Sequence, residues 1–104
     1  MKILAVTSCP SGVAHTYMAA AAIKKAALAK GHEIKVETQG SIGIENEITM
    51  EDVKDADIII LTKDVSLSNT ERFTGKPIVK VPITDVVKKS DKNIIKIEEA
   101  FKNR

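Results

Sequence analysis

At 104 residues the chain is long enough for one domain with its own core, and 43% apolar with 29% charged residues excludes a disordered protein. One cysteine excludes an internal disulfide or a cysteine zinc cluster and suits a reducing cytosol. Two distant histidines give no metal motif, and no apolar run reaches the roughly 18–20 residues of a membrane span. A formal net charge of +2, with lysines scattered and only Tyr17, Phe73 and Phe101 as aromatics, gives no nucleic-acid footprint.

Lys2 to Thr7 is a short apolar run with β-branched residues, read as a first strand buried on both faces. Thr7-Ser8-Cys9-Pro10-Ser11-Gly12-Val13-Ala14-His15-Thr16 joins it to strong helix formers from about Ala14 to Lys30. Helical spacing puts Tyr17, Ala20 or Ala21, Ile23 or Lys24, Ala27 and Leu28 on one face, with Gly31 where a C-terminal cap is expected. Glu33 to Thr38 alternates as a strand with one wetter face, setting Ile34 and Val36 against Glu33, Lys35 and Glu37. Gln39 to Gly43 reads as a loop, and Thr49 as the N-cap of a short helix through Asp55. Asp57 to Thr62 is the strongest strand and reads as central; Gly75-Lys76-Pro77 marks a turn before a last strand, Ile78 to Val81. Pro82 opens a helix carrying Val86 and Val87, and Asp91 to Phe101 closes the chain as a docked helix through Ile94, Ile95, Ile97 and Phe101. The alternation predicts a single α/β domain over residues 1–104. Its sheet would be four-stranded and parallel, in the order 2-1-3-4, with helices on both faces in a Rossmann-like arrangement. The topological switch point then lies between strands 1 and 3, beside Cys9, where open α/β sheets bind their ligands.

Cys9 therefore stands at a strand-to-helix junction, facing backbone N–H groups and the positive end of a helix dipole. Such a place lowers a thiol's pKa and holds an anion. Gly12 lets consecutive N–H groups converge, Pro10 stiffens the loop, and Ser11 and Thr16 supply hydroxyls. His15 reads equally as a donor to the anion or as an ordinary partly buried histidine. A lone intracellular cysteine is more often a small buried hydrophobe; the junction and the Pro-Ser-Gly sequence after it reverse that reading. The simplest chemistry is a thiolate that accepts a phosphoryl group. Tyr17 and Met18 read first as packing residues, and Lys24 and Lys25 as a solvated helix face.

Three further motifs carry a resemblance. Val6 to Ala20, Val36-Glu-Thr-Gln-Gly-Ser-Ile-Gly43 and Glu71-Arg-Phe-Thr-Gly-Lys76 resemble the fructose-type IIB component of the bacterial sugar phosphotransferase system, over nearly the whole chain. The resemblance implies a phosphoryl carrier in which Cys9 takes phosphate from a phosphohistidine of the IIA component. It passes that phosphate to a sugar, fructose or a related hexose, held by the membrane component IIC during uptake. It implies that Pro10, Ser11, Gly12, Val13, Ala14, His15 and Thr16 form the phosphate loop. Tyr17, Gln39, Gly40, Ser41 and Gly43 would lie on the surface shared by the two partners. It further implies a cytoplasmic place at the inner face of the membrane through IIC, without cofactor or metal, nucleic acid or direct membrane insertion. The family often has an acidic residue where Ala21 stands, and usually one in the stretch Ser66 to Thr70.

Other classes fit the residues less well. A low-molecular-weight phosphatase or a thiol-based reductase could use a similar cradle. A cysteine phosphatase, however, clamps its phosphate with an arginine after five intervening residues, where this chain has His15, and Asp64 is the only general acid in view. A non-catalytic anion sensor would keep its activity as Cys9→Ser, and a redox sensor would lack a resolving cysteine within the chain.

Overall fold

The computed structural model describes residues 1–8, 13–40, 43–64 and 67–102, with residues 13–15 described as helical backbone. In chain order the elements are β1 (Lys2–Thr7), α1 (Val13–Ala29), β2 (Glu33–Gly40), β3 (Gly43–Glu45), α2 (Met50–Asp55) and β4 (Ile58–Thr62). A 3-10 turn (Thr70–Phe73), β5 (Ile78–Val81), α3 (Ile83–Lys88) and α4 (Ser90–Lys102) follow. The sheet order is β3-β2-β1-β4-β5.

Two features correct the sequence reading. The sheet is mixed and has five strands, in place of a four-stranded parallel one: β2, β1, β4 and β5 run parallel, and β3 lies antiparallel on the edge. Gln39 and Gly40, read as loop, instead extend β2, and Gly43 and Ile44 pair antiparallel with them as Gly40↔Gly43 and Gln39↔Ile44. Gly43 has φ +108°, a conformation that glycine adopts without strain and other residues rarely do. Between β4 and β5 the described residues hold the 3-10 turn where an α-helix would complete the alternation.

β1 is buried on both faces because it lies between β2 and β4 with helices above and below. Its side chains alternate between two cores. Ile3 and Ala5 join Ile58, Ile60 and Val36 beneath α1, α3 and α4, with Ile23, Ile94 and Ile97 packed down on them. Leu4 and Val6 join Ile59 and Leu61 on the opposite face, beneath Ile48, Val53, Ala56 and Phe73.

α1 docks through Thr16, Ala19, Ile23, Ala26 and Ala27, so its buried stripe is rotated from the one read in sequence: Leu28 is 56% exposed and Tyr17 half-buried. Small alanines let the helix lie close to the sheet. Its end is a Schellman motif: the N–H of Gly31 (φ +81°) donates to the Leu28 carbonyl and that of His32 to the Ala27 carbonyl. α2 begins with a full capping box between Thr49 and Asp52.

Candidate functional site

Cys9, Pro10, Ser11, Gly12 and Ser41 lie outside the described residues. The two residues that bracket the cysteine loop, Ser8 and Val13, are described. Ser8 follows the last residue of the central strand, and Val13 begins a 17-residue helix. The loop therefore joins the C-terminal end of β1 to the N-terminus of α1. That first turn carries no acidic side chain to offset the positive end of the helix. Val13, Ala14 and His15 contribute the backbone of this turn.

The frame around the loop is built from hydroxyls. Thr7 Oγ1 donates to the Thr16 carbonyl at 3.1 Å, tying the end of β1 to the first turns of α1. The Ser8 N–H donates to Thr62 Oγ1 at 3.0 Å, and the Ser8 hydroxyl donates to the Gln39 carbonyl at 2.7 Å. Thr7, Ser8, Thr16 and Thr62 are all buried, and the Thr16 hydroxyl makes no hydrogen bond among the described residues. Buried hydroxyls are normally satisfied, and that of Thr16 keeps bonding capacity that no described residue takes up.

On the β2 side lies a feature that the alternation of β2 misassigned. Glu37, placed on the wetter face from sequence, is fully buried and paired with Arg72 of the 3-10 turn. The pairing is bidentate: Arg72 Nη1 donates to Glu37 Oε1 at 2.8 Å and Nη2 to Oε2 at 2.7 Å. The Ile48 N–H donates to the same carboxylate at 2.8 Å, and Gln39 Nε2 at 2.7 Å. Burial pushes the Glu37 carboxyl up; the bonds from Arg72, Gln39 and Ile48, with the guanidinium charge, outweigh it and hold the group below its ordinary value. The alternation of β2 gave no sign that its second face is covered. The signal available was Arg72 itself, an arginine beside the buried Phe73, whose ring it overlies at 4.7 Å.

Gln39 links these parts. Its side-chain amide exchanges two hydrogen bonds with the Ser68 backbone, accepting from the N–H at 2.9 Å and donating to the carbonyl at 3.2 Å. Its own carbonyl receives the Ser8 hydroxyl. The segment after β4, the buried ion pair and the residue before Cys9 thus meet at Gln39. Gly40 and Gly43 pair between β2 and β3, and half-buried Tyr17 donates its hydroxyl to Glu45 of β3, which raises the Tyr17 pKa. Tyr17, Gln39, Gly40 and Gly43 therefore lie on the β2 side of the end of β1. Asp64 accepts the Ile83 N–H at 2.6 Å and so caps α3, whose N-cap Pro82 has no side chain for the task. A cleft of about 650 Å³ runs from the end of β4 along β5, lined by Thr62, Lys63, Asp64, Thr70, Ile78 and Lys80 among others. No described helix is long and apolar enough to cross a membrane.

Comparison with known proteins bears directly on this arrangement. The family model of the lactose/cellobiose-specific IIB subunit of the PTS system matches residues 4–98. The PTS system fructose-like EIIB component 2 of Escherichia coli K12 is 65% identical over 97 residues, covering 93% of this chain and 92% of that protein. The PTS system fructose-specific EIIABC component of Bacillus subtilis is 47% identical over 95 residues, 91% of this chain and 15% of that much longer protein. Among solved structures, the Enzyme IIB subunit of the PTS system from Escherichia coli K12 superposes with a TM-score of 0.90 at 39% identity, covering 98% of this chain and 94% of that one. A thioredoxin-dependent arsenate reductase of Corynebacterium glutamicum, at 12% identity, TM-score 0.54 and coverage of 97% of this chain and 61% of that one, shares the fold alone.

Proposed function

The chain belongs to the IIB family of the sugar phosphotransferase system, and from that premise we propose that it is a fructose-type phosphoryl carrier working through Cys9. The observation that carries the reading is the place of the chain's single cysteine. It lies in the four residues between the clamped end of the central strand and the first residue of α1, at the sheet end where such folds bind anions.

Carriage runs as two in-line displacements. The Cys9 thiolate attacks the phosphorus of a phosphohistidine on IIA; the S–P bond forms as the P–N bond breaks. A hydroxyl of the sugar held by IIC then attacks the phosphocysteine, and the thiolate leaves. A stabilised thiolate serves both halves, as nucleophile in the first and leaving group in the second. The backbone N–H groups of Val13 to His15 at the start of α1, together with Ser11 and the open hydroxyl of Thr16, stabilise charge on the equatorial oxygens. The loop from Pro10 to Thr16 is the phosphate cradle. No metal or cofactor enters either step. Tyr17, Gln39, Gly40, Ser41 and Gly43 flank the cradle and form the surface that meets IIA and IIC in turn. The carrier works in the cytoplasm, reaching the inner face of the membrane through IIC. Fructose or a related hexose is the acceptor.

The test is intact-protein mass after incubation with phosphoenolpyruvate, the general phosphotransferase proteins and a fructose-type IIA. One added phosphoryl group, mapped to Cys9 and missing from Cys9→Ser, is the expected result. A chain that takes no phosphoryl group from any of a panel of active IIA donors, or that hydrolyses aryl phosphates instead, would overturn the reading.

A further inference from the structure

The parallel ladder of β1 ends before the cysteine. On the β4 side its last pair is Val6↔Leu61, and on the β2 side Thr7↔Thr38. Ser8 comes after both, yet it is only 8% exposed. Two hydroxyls take over the rungs that the backbone no longer supplies. Thr62, the last residue of β4, accepts the Ser8 N–H at 3.0 Å. The same oxygen lies 3.3 Å from the Val6 carbonyl and 3.4 Å from that of Ser8, so its single proton is offered two acceptors. On the other flank the Ser8 hydroxyl donates to the Gln39 carbonyl. The residue covalently joined to Cys9 is thus held from both neighbouring strands.

We propose that Thr62 and Ser8 are positioning residues for the Cys9 nucleophile, extending the order of the sheet one residue beyond its ladder. The proposal rests on the carrier reading for its consequence. In-line transfer needs sulfur, phosphorus and leaving atom aligned, and the direction of the chain through Ser8 sets where the Cys9 side chain begins. Misplacement by a fraction of an ångström is enough to slow such a reaction severely. Thr62 is 2% exposed, so it acts through Ser8 and not by touching a partner. Valine has the same branched shape and suits a central strand equally well. A buried hydroxyl is justified there by the hydrogen bonds it makes.

Thr62→Val, Thr62→Ser and Ser8→Ala separate the possibilities. Three quantities are measured: the rate of Cys9 phosphorylation by phosphorylated fructose-type IIA, the pH profile of Cys9 alkylation by iodoacetamide, and the thermal midpoint. Thr62→Val is expected to slow phosphorylation about tenfold or more and to shift the alkylation profile. Ser8→Ala should have a smaller effect, and Thr62→Ser, which keeps the hydroxyl, should stay within about twofold of the parent chain. Unchanged rate and profile in Thr62→Val would overturn the proposal. So would a Thr62→Ser variant as slow as Thr62→Val, since the effect would then belong to packing. Should Thr62→Val fail to fold, Ser8→Ala and Thr62→Ser decide. Should the parent chain accept no phosphoryl group, the carrier reading falls, and the alkylation profiles alone settle whether the two hydroxyls place the thiol.

Discussion

The two faces of the sheet are closed in different ways. One lies under α1, α3 and α4, where isoleucine, valine and alanine side chains from all three helices meet those of the sheet. The other lies under a six-residue helix, a 3-10 turn and irregular chain, over a smaller cluster that ends in Ile48 and Phe73. Among the described residues only this second face contains a buried ion pair, Glu37 with Arg72, reinforced by the Ile48 N–H and by Gln39. Interlocked helices define their own packing by shape. A cover without long helices has many near-equivalent placements, and the directional bonds of a buried carboxylate select one of them. The selection matters because the same network reaches Ser8 through Gln39.

The largest expected effect follows from removing one member of that pair. Arg72→Met leaves the Glu37 carboxylate buried without its counter-charge and should destabilise the fold by about 3–5 kcal/mol. With Arg72 gone, the Glu37 carboxyl loses two of the causes that hold it down while its burial remains, and its pKa should rise. Denaturant unfolding and an NMR titration of the glutamate measure the two. The double variant Glu37→Met/Arg72→Met should regain part of the loss: no charge is left unpaired, but the Ile48 N–H and carbonyl lose the partners that Glu37 and Arg72 gave them. A loss under 1 kcal/mol in the single variant would mean that the second face is held by its apolar cluster alone.

The apolar face gives the contrasting measurement. Ile23 of α1, fully buried against the sheet, should cost about 3 kcal/mol as Ile23→Ala, from lost burial and the cavity left behind. The two variants are then matched in stability and differ in position. Arg72→Met should slow phosphorylation of Cys9 per folded molecule, through Gln39 and Ser8. Ile23→Ala should leave that rate nearly unchanged. Equal slowing in both would show that general loosening, and not the polar network, governs the loop.

This contrast also explains what was legible in the sequence. The continuous apolar run of β1, the cap at Gly31, the Thr49 capping box and the turn at Gly75 are local, each signalled by residues within a turn of one another. The strand-to-helix junction at Cys9 is equally local, and the resemblance carried by its motif agrees with the IIB relatives. The buried face of α1 lies about one residue from the one its spacing predicts, because an alanine-rich helix offers little contrast between its sides and Leu28 looks more like core than Ala26. Glu37 defies the alternation of β2, which treats a charged residue as a mark of solvent. Its partner lies 35 residues away, on a turn with no periodicity of its own. The edge strand β3 is three exposed residues held by pairing with β2 and by the Tyr17 hydroxyl on Glu45, so hydrophobic pattern could not reveal it.

The smallest expected effect concerns the second face at its water-exposed margin. Asp52 accepts the Lys35 ammonium at 2.7 Å and the Thr49 N–H at 2.9 Å, while its own N–H completes the capping box. The Lys35 bond first, and the Thr49 N–H next, lower its carboxyl from 3.8 to about 2. A folded value below the unfolded one means that the contribution is fully present above pH 3.8 and is lost as pH falls toward about 2. Glu37 is depressed in the same direction, so both groups add to the acid slope. Because the Asp52 side chain is partly exposed, water screens its share, and Asp52→Asn should cost about 0.5 kcal/mol at neutral pH. The variant should lose stability less steeply over that acid window. High salt should shrink the difference between Asp52→Asn and the parent chain while leaving that of Arg72→Met intact, since buried pairs are screened far less than exposed ones. Parallel acid unfolding curves for Asp52→Asn and the parent would show that the margin is not electrostatically fastened, and would leave the buried pair as the polar anchor of this face.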